Sequence, residues 1–357
     1  MSSLHATVGE VYQYVVGVDT HAASHAYAIV AAATGKLIDQ RQFPTSPAGL
    51  TRARDWIGRR TGGDLDGVLI SAEGTGSYGA LMSEGLAAIG YRVVEAPTPR
   101  RGSDLRKTDE LDALLAARTT AAMPVDALRD RRSGEARAAL QVLATARDRL
   151  TQERTAKRNA LNALARTHDL GIDARRALTD AQVRLIASWR ERNESMELQI
   201  ARAEAVRLAD GIQQLDAALK ANQQQTRDLV RIVAPELLEV TGIREVTAAV
   251  ILAAWSHPGR MRSESAFAML AGVAPIPASS GKTTRHRLNR GGDRRLNRAL
   301  HMIALTRLSC NAETQEYVQR RRGEGKSDRE IRRCLKRFIA RQIYRLLNQH
   351  HTAPATT

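Results

Sequence analysis

The sequence predicts an α/β N-terminal part joined by two long helices to a mostly helical, basic C-terminal part. Three observations carry this prediction. Residues 11–122 alternate β-branched runs with amphipathic segments. Between residues 131 and 233 glycine and proline become scarce while Ala, Leu, Arg, Glu and Gln dominate. From His257 onward the chain holds 21 Lys/Arg against 7 Asp/Glu, which is +14 of a net charge of +16. The domain boundaries that follow are 11–125, 126–233 and 234–350.

In chain order, "VYQYVVGVD" reads as a strand ending in an acid and "HAYAIVAA" as a second strand. A Thr34-Gly35 turn leads into the third, "KLIDQRQF". "SPAGLTRARDWIGRR" has a Ser-Pro helix start and an apolar stripe through Leu50, Ala53 and Ile57. "GVLISAE" is a short buried-type strand, "SYGALMSEGLAAIG" a helix closed by Gly90, and "YRVVEA" a fifth strand; a helical segment follows from about Ser103. A three-strand meander followed by alternation with helices predicts a mixed sheet with helices packed on it. "ARAALQVLATARDRLTQERTAKRNALNAL" and "ESMELQIARAEAVRLADGIQQLDAALKANQQQ" keep apolar residues at steps of three and four. They predict a long antiparallel coiled coil, serving as spacer or dimerisation arm. "APELLEVTGIREVTAAVILAAW" predicts helix, tight turn at Gly242, helix. The turn reads either as a phosphate contact through its N–H groups or as an ordinary hairpin. Arginine-rich helices end the chain.

A length of 357 residues allows two or three domains with real cores. The one-sided charge points to a polyanionic partner, nucleic acid being the commonest. Aromatics at 4% favour phosphate contact over base stacking. Cys310 and Cys334 match no zinc spacing and imply a reducing compartment. The N-terminus lacks a signal peptide's basic flank and apolar run, and "TAAVILAAW" is too short to span a bilayer. The expectation is a cytoplasmic, nucleoid-associated protein with no membrane partner.

Two segments carry candidate chemistry. In "PASSGKTTRHRLNRGGDRRL", Gly281-Lys282-Thr283 mimics the end of a P-loop. A P-loop needs glycine five positions before Gly281, where Ile276 stands, and Pro275 and Pro277 remove N–H groups a phosphate would need. Four acids form the second set. Asp19 ends the first strand, Glu73 ends the fourth, and Asp109 and Asp112 lie three apart on one helix face. If strands one and four are neighbours, Asp19 and Glu73 approach each other. Each acid alone also reads as a turn former, a helix-flanking acid or a solvated face. Gathered, the four would repel unless hard divalent cations neutralised them. Mg²⁺, or Mn²⁺ in its place, takes oxygen ligands, and two such ions about 4 Å apart clamp both oxygens of a phosphodiester exchange. Glu110, between the helix pair, is expected to point away.

"GVDTH", "EGTGSYG" and "KTDELDA", followed by "FAMLAGVAPIPASSGKTTRHRLNRGGDRRLNRAL", resemble the DEDD-type insertion-sequence transposases related to Piv DNA invertases. The resemblance implies a RuvC-like, ribonuclease-H-fold catalytic domain, the coiled coil, and a helical transposase domain. It implies that Ser280, with Ser279 as the adjacent alternative, is a nucleophile forming a transient phosphoserine link to DNA. Lys282, Arg285 and Arg287, with Arg290, Arg294, Arg295 and Arg298, would supply the charge around the phosphate. It further implies donor and target DNA as partners, a bridge RNA that guides them, and a dimer or tetramer joined through the coiled coil. A structure-specific nuclease using water as nucleophile would leave Ser280 dispensable. A non-catalytic nucleic-acid scaffold would leave Asp19 and Glu73 dispensable.

Overall fold

The computed structural model describes residues 6–97, 108–277, 286–287, 289 and 291–349. It divides into two compact units, Met1–Gly134 with Trp255–Phe267, and Glu135–Ala254 with Ala268–Thr357. No helix among the described residues is long and apolar enough to cross a membrane.

The first unit runs α1 (Val8–Val11), β1 (Tyr14–Thr20), β2 (Ser24–Ala31), β3 (Leu37–Pro44), α2 (Pro47–Thr61), β4 (Val68–Ala72), α3 (Ala80–Ala88), β5 (Arg92–Glu95) and α4 (Asp109–Ala121). The strands form one mixed sheet in the order β3-β2-β1-β4-β5. The meander β1-β2-β3 is antiparallel, because short turns join its strands, one through Gly35 at φ +66°. Strand β4 pairs parallel to β1 and β5 parallel to β4, because α2 and α3 carry the chain back between them. Strands one and four are therefore neighbours, with Val18 opposite Ala72.

Helices cover both faces of this sheet. Val16, Val18, Tyr27, Ile29 and Ile70 pack with Trp56 and Ile57 of α2 and Met82 and Leu86 of α3. On the other face Val15, Val30, Leu69 and Val94 pack with Ala117 and Ala121 of α4, while Ala26 and Ala28 meet Ala113. Side chains alternate along a strand. Val15 looks toward α4, so Gly17 and Asp19 do too. At Gly17 an added Cβ would stand 2.0 Å from the Ala113 carbonyl oxygen and 2.6 Å from the Ala117 nitrogen. Glycine on the strand and alanine on the helix let the two backbones approach unusually closely.

The remaining elements in chain order are α5 (Glu135–Thr167), α6 (Asp180–Ala187), α7 (Met196–Val233), α8 (Glu245–Trp255), α9 (Glu264–Leu270), β6 (Ile276–Pro277), β7 (His286–Arg287), α10 (Arg294–Cys310), α11 (Ala312–Gly323) and α12 (Asp328–Gln349). Helices α5 and α7 lie antiparallel along each other. Asn222 donates to the Leu143 carbonyl at 3.0 Å, Arg147 to the Leu219 carbonyl at 3.2 Å, and Arg154 pairs with Asp216. Lys157 lies across Gly211, so the contacts descend one helix as they climb the other. Apolar residues of both helices and of α6 close a core around Leu161, Ile186, Leu208 and Ile212.

The helix expected before Gly242 is instead a single 3-10 turn, Pro235–Glu239. Eight residues separate Val233, the end of α7, from Gly242, and five of them form this turn. Gly242 adopts φ +86° and lies where an added Cβ would come 3.0 Å from the Ile303 carbonyl oxygen of α10. Arg307 donates to the Thr241 carbonyl at 2.8 Å. The turn thus packs on α10.

Candidate active site

Asp19, one residue from the end of β1, is 6% exposed. Across from it, α4 begins under a Thr108 cap whose hydroxyl accepts from the Leu111 N–H. Asp109 and Asp112 lie in the first helical turn, where the helix dipole favours negative charge. They stand one turn before Ala113 and Ala116, on the stripe that faces the sheet. The close packing at Gly17 then brings Asp109 to the end of β1. His21 completes the group: its Nδ1 is 3.4 Å from Asp19 Oδ2 and 3.6 Å from Asp109 Oδ2. One donor atom from each of Asp19, His21 and Asp109 lies within 4.8 Å of the others.

Glu73 follows β4 directly. Its N–H donates to the Val18 carbonyl at 3.1 Å, and the Thr20 hydroxyl donates to its carbonyl at 3.2 Å. Its backbone is thereby held beside the end of β1, on either side of Asp19. Glu73 lines a cleft of about 760 Å³ with Thr75, Ser77, Arg129 and Arg132. Neither Glu73 nor Asp112, which is half-buried on α4, belongs to the Asp19–His21–Asp109 trio. Glu110 is exposed and also stands outside it.

In the C-terminal basic segment, Ser279, Ser280, Lys282, Arg285 and Arg290 lie outside the described residues. Arg287 and Arg294 are exposed. Arg295 and Arg298 both pair with Asp148 of α5, at 3.0 and 2.9 Å, so they also tie α10 to α5.

Sequence reasoning missed His21 and a second charged knot. A lone histidine after a strand has no periodic partner to mark it, although its place two residues after Asp19 was the available signal. In the second case Glu95, at the end of β5, accepts from Arg260 at 2.7 Å and Arg132 at 3.2 Å, with Arg129 at 3.6 Å. The Arg260 side chain is 0% exposed. Burial raises the Glu95 carboxyl pKa, but Arg260, Arg132 and Arg129 more than offset this and hold it below its ordinary value. The unfolded chain therefore takes up that proton first. The stabilisation is complete above the ordinary carboxylate range near pH ~4.3 and is lost as pH falls through the lowered folded value. Glu95→Gln is expected to cost about 3–5 kcal/mol at pH 7, because it leaves buried Arg260 uncompensated. Thermal melts at pH 7 and in acid check this: the gap between wild type and variant narrows as pH falls. An unchanged melting point at pH 7 would remove the knot from the stability account.

Two comparisons bear on what this arrangement belongs to. Residues 16–168 match the transposase family model named for the DEDD acids and IS110. Residues 234–319 match the model of the transposase IS116/IS110/IS902 family. No curated protein gives a match. The first match spans Asp19, Glu73, Asp109 and Asp112, and the second spans the basic serine-bearing segment. Both parts of one family's architecture occur here in order, and the chain belongs to the IS110/IS116/IS902 family of DEDD transposases, enzymes that act on DNA.

Proposed function

We propose that the chain cuts and rejoins DNA strands at a divalent-metal centre held by Asp19, Glu73, Asp109 and Asp112, using Ser280 as nucleophile. The observation that carries the metal centre is the convergence of Asp19 and Asp109 on His21, from positions 90 residues apart in sequence. Two carboxylate oxygens suit Mg²⁺ or Mn²⁺, and the imidazole nitrogen suits a transition metal better than Mg²⁺. The donor set therefore fits Mn²⁺ at least as well as Mg²⁺. A cation bound there would neutralise charge on the attacking and leaving oxygens. Asp19 and Asp109 would hold it, and the Glu73 backbone, tied to β1 on both sides, keeps a further carboxylate at hand. The order β3-β2-β1-β4-β5, antiparallel then parallel, supports a RuvC-like, ribonuclease-H-type domain over residues 11–125.

In the covalent step the serine oxygen bonds to phosphorus and the bond to one deoxyribose oxygen breaks. The serine proton passes to that departing oxygen, and the reverse sequence rejoins a strand. Lys282, Arg285, Arg287, Arg290 and Arg294 would counter the phosphate charge; Arg295 and Arg298 would do so from their Asp148 anchor. The antiparallel α5–α7 pair supports a coiled-coil arm over residues 126–233 through which copies assemble as dimers or tetramers. The net charge of +16, concentrated after His257, supports polyanionic partners such as donor and target DNA; the family resemblance alone adds a guide RNA encoded beside the gene.

Ser280→Ala tests the nucleophile. It is expected to abolish the denaturation-resistant protein–DNA adduct and strand exchange, while Ser279→Ala keeps both. An adduct that survives Ser280→Ala and is lost in Ser279→Ala would move the nucleophile to Ser279. Undiminished cleavage without an adduct when both serines are replaced would instead support the nuclease that uses water.

A further inference from the structure

Helix α12 is built with two opposed stripes. Ile331, Leu335, Ile339, Ile343 and Leu347 recur every fourth residue and are buried. Arg333, Arg337, Arg341 and Arg345 recur at the same interval on the opposite side. Successive cations stand roughly 6 Å apart along the axis. Between them Phe338 is 47% exposed, in a chain with only 3 phenylalanines. An aromatic ring left in water at that level forfeits the burial that Ile339, the next residue, has on the same helix.

Phe338 and Arg341 line two adjoining clefts, of about 300 and about 620 Å³. Arg287, Arg333 and Lys336 border the first, Arg307 and Arg345 the second. No acid occurs among the described residues lining either cleft. The Phe338 ring is braced edge-on by Tyr317, with centroids 5.8 Å apart and planes at 88°. The Arg341 guanidinium lies 5.8 Å from the ring centre. Burial and the neighbouring Arg333 charge hold the Lys336 ammonium below its ordinary pKa; burial and Arg341 do the same for Arg337. Such crowding of like charge is relieved when a polyanion lies along the groove.

We infer that the α12 groove binds an unpaired DNA strand, one base stacking on Phe338 and the backbone phosphates following the Arg333–Arg345 row. A double helix keeps its base faces stacked and covered and leaves no face for a side-chain ring, so an exposed, braced ring amid arginines fits a single strand better. This site rests on the strand-transfer reading only for its supply of unpaired strands, and uses none of the metal-centre acids.

Fluorescence anisotropy of the full chain with labelled oligothymidine and with a duplex, both in chelator, tests the assignment. Phe338→Ala is expected to weaken oligothymidine binding roughly 5-fold or more, the low end of base–aromatic stacking. Duplex affinity should be unchanged, which separates the loss from unfolding, and Phe338→Trp should restore single-strand binding. Photo-crosslinking with bromodeoxyuridine should label the peptide carrying Phe338. Equal loss for single strand and duplex, no loss for either, or crosslinks confined to other peptides would overturn the site. Tighter binding of oligouridine, lost in the same variant, would overturn its assignment to DNA. Asp19→Asn in the same assay separates the two readings: it should bind oligothymidine normally, whatever it does to cleavage.

Discussion

Asp19→Asn and Asp109→Asn are each expected to lower strand cleavage by about 10³-fold while DNA affinity stays near wild type. Asparagine keeps the shape of aspartate and removes only the charge, so packing at the end of β1 and the cap of α4 survive. Losing one carboxylate from a metal centre removes several kcal/mol of charge stabilisation from the transition state, and about 4 kcal/mol is a factor of 10³. Binding should be spared, because the phosphate contacts proposed above are made by arginines and lysines elsewhere. Glu110→Gln is the matched control: it stands beside Asp109 in sequence, is exposed, and lies outside the trio. It should leave cleavage unchanged. Mn²⁺ binding, followed by water-proton relaxation, should weaken in both aspartate variants and not in the control. If either aspartate variant cleaves at the wild-type rate, or loses DNA binding and stability together, that residue is structural.

The sheet is legible in the sequence because each strand is a short β-branched run closed by a turn residue or an acid. The switch from meander to helix-linked strands also states which pairs are antiparallel. The acids are legible as strand ends and a helix turn for the same reason. Which of them share a pocket is not legible, because that depends on how deeply α4 settles on β1. His21 is joined to Asp109 only through this packing, since the two lie 88 positions apart in sequence. The Glu95 knot is hidden in the same way, as Arg260 arrives from a segment 165 residues later. Pro235–Glu239 shows the opposite failure: its composition is helical, but the turn at Gly242 and the end of α7 leave it too short.

Gly17→Ala should therefore damage the molecule more than any surface change, although it adds one methyl group. Its Cβ would meet the Ala113 carbonyl oxygen at 2.0 Å, a backbone atom that no rotamer change can move. Relief requires α4 to lift from the sheet, uncovering Ala113 and Ala117 and carrying Asp109 away from Asp19. Overpacking of this kind costs about 3 kcal/mol or more. That should lower the melting point of the first unit by roughly 6–12 °C. A displacement of about 1 Å at Asp109 is enough to cost about 10²-fold in cleavage. Ala117→Gly removes only a 2.9 Å contact to a side-chain carbon, so it should not rescue Gly17→Ala. Gly58→Ala, inside α2 with nothing within 4 Å of its added Cβ, makes the same chemical change in open space. It should be neutral or stabilising by up to about 1 kcal/mol. The pair tests whether close backbone approach at Gly17 holds Asp109 at the site: equal melting points and equal cleavage for both variants would show that α4 does not depend on it.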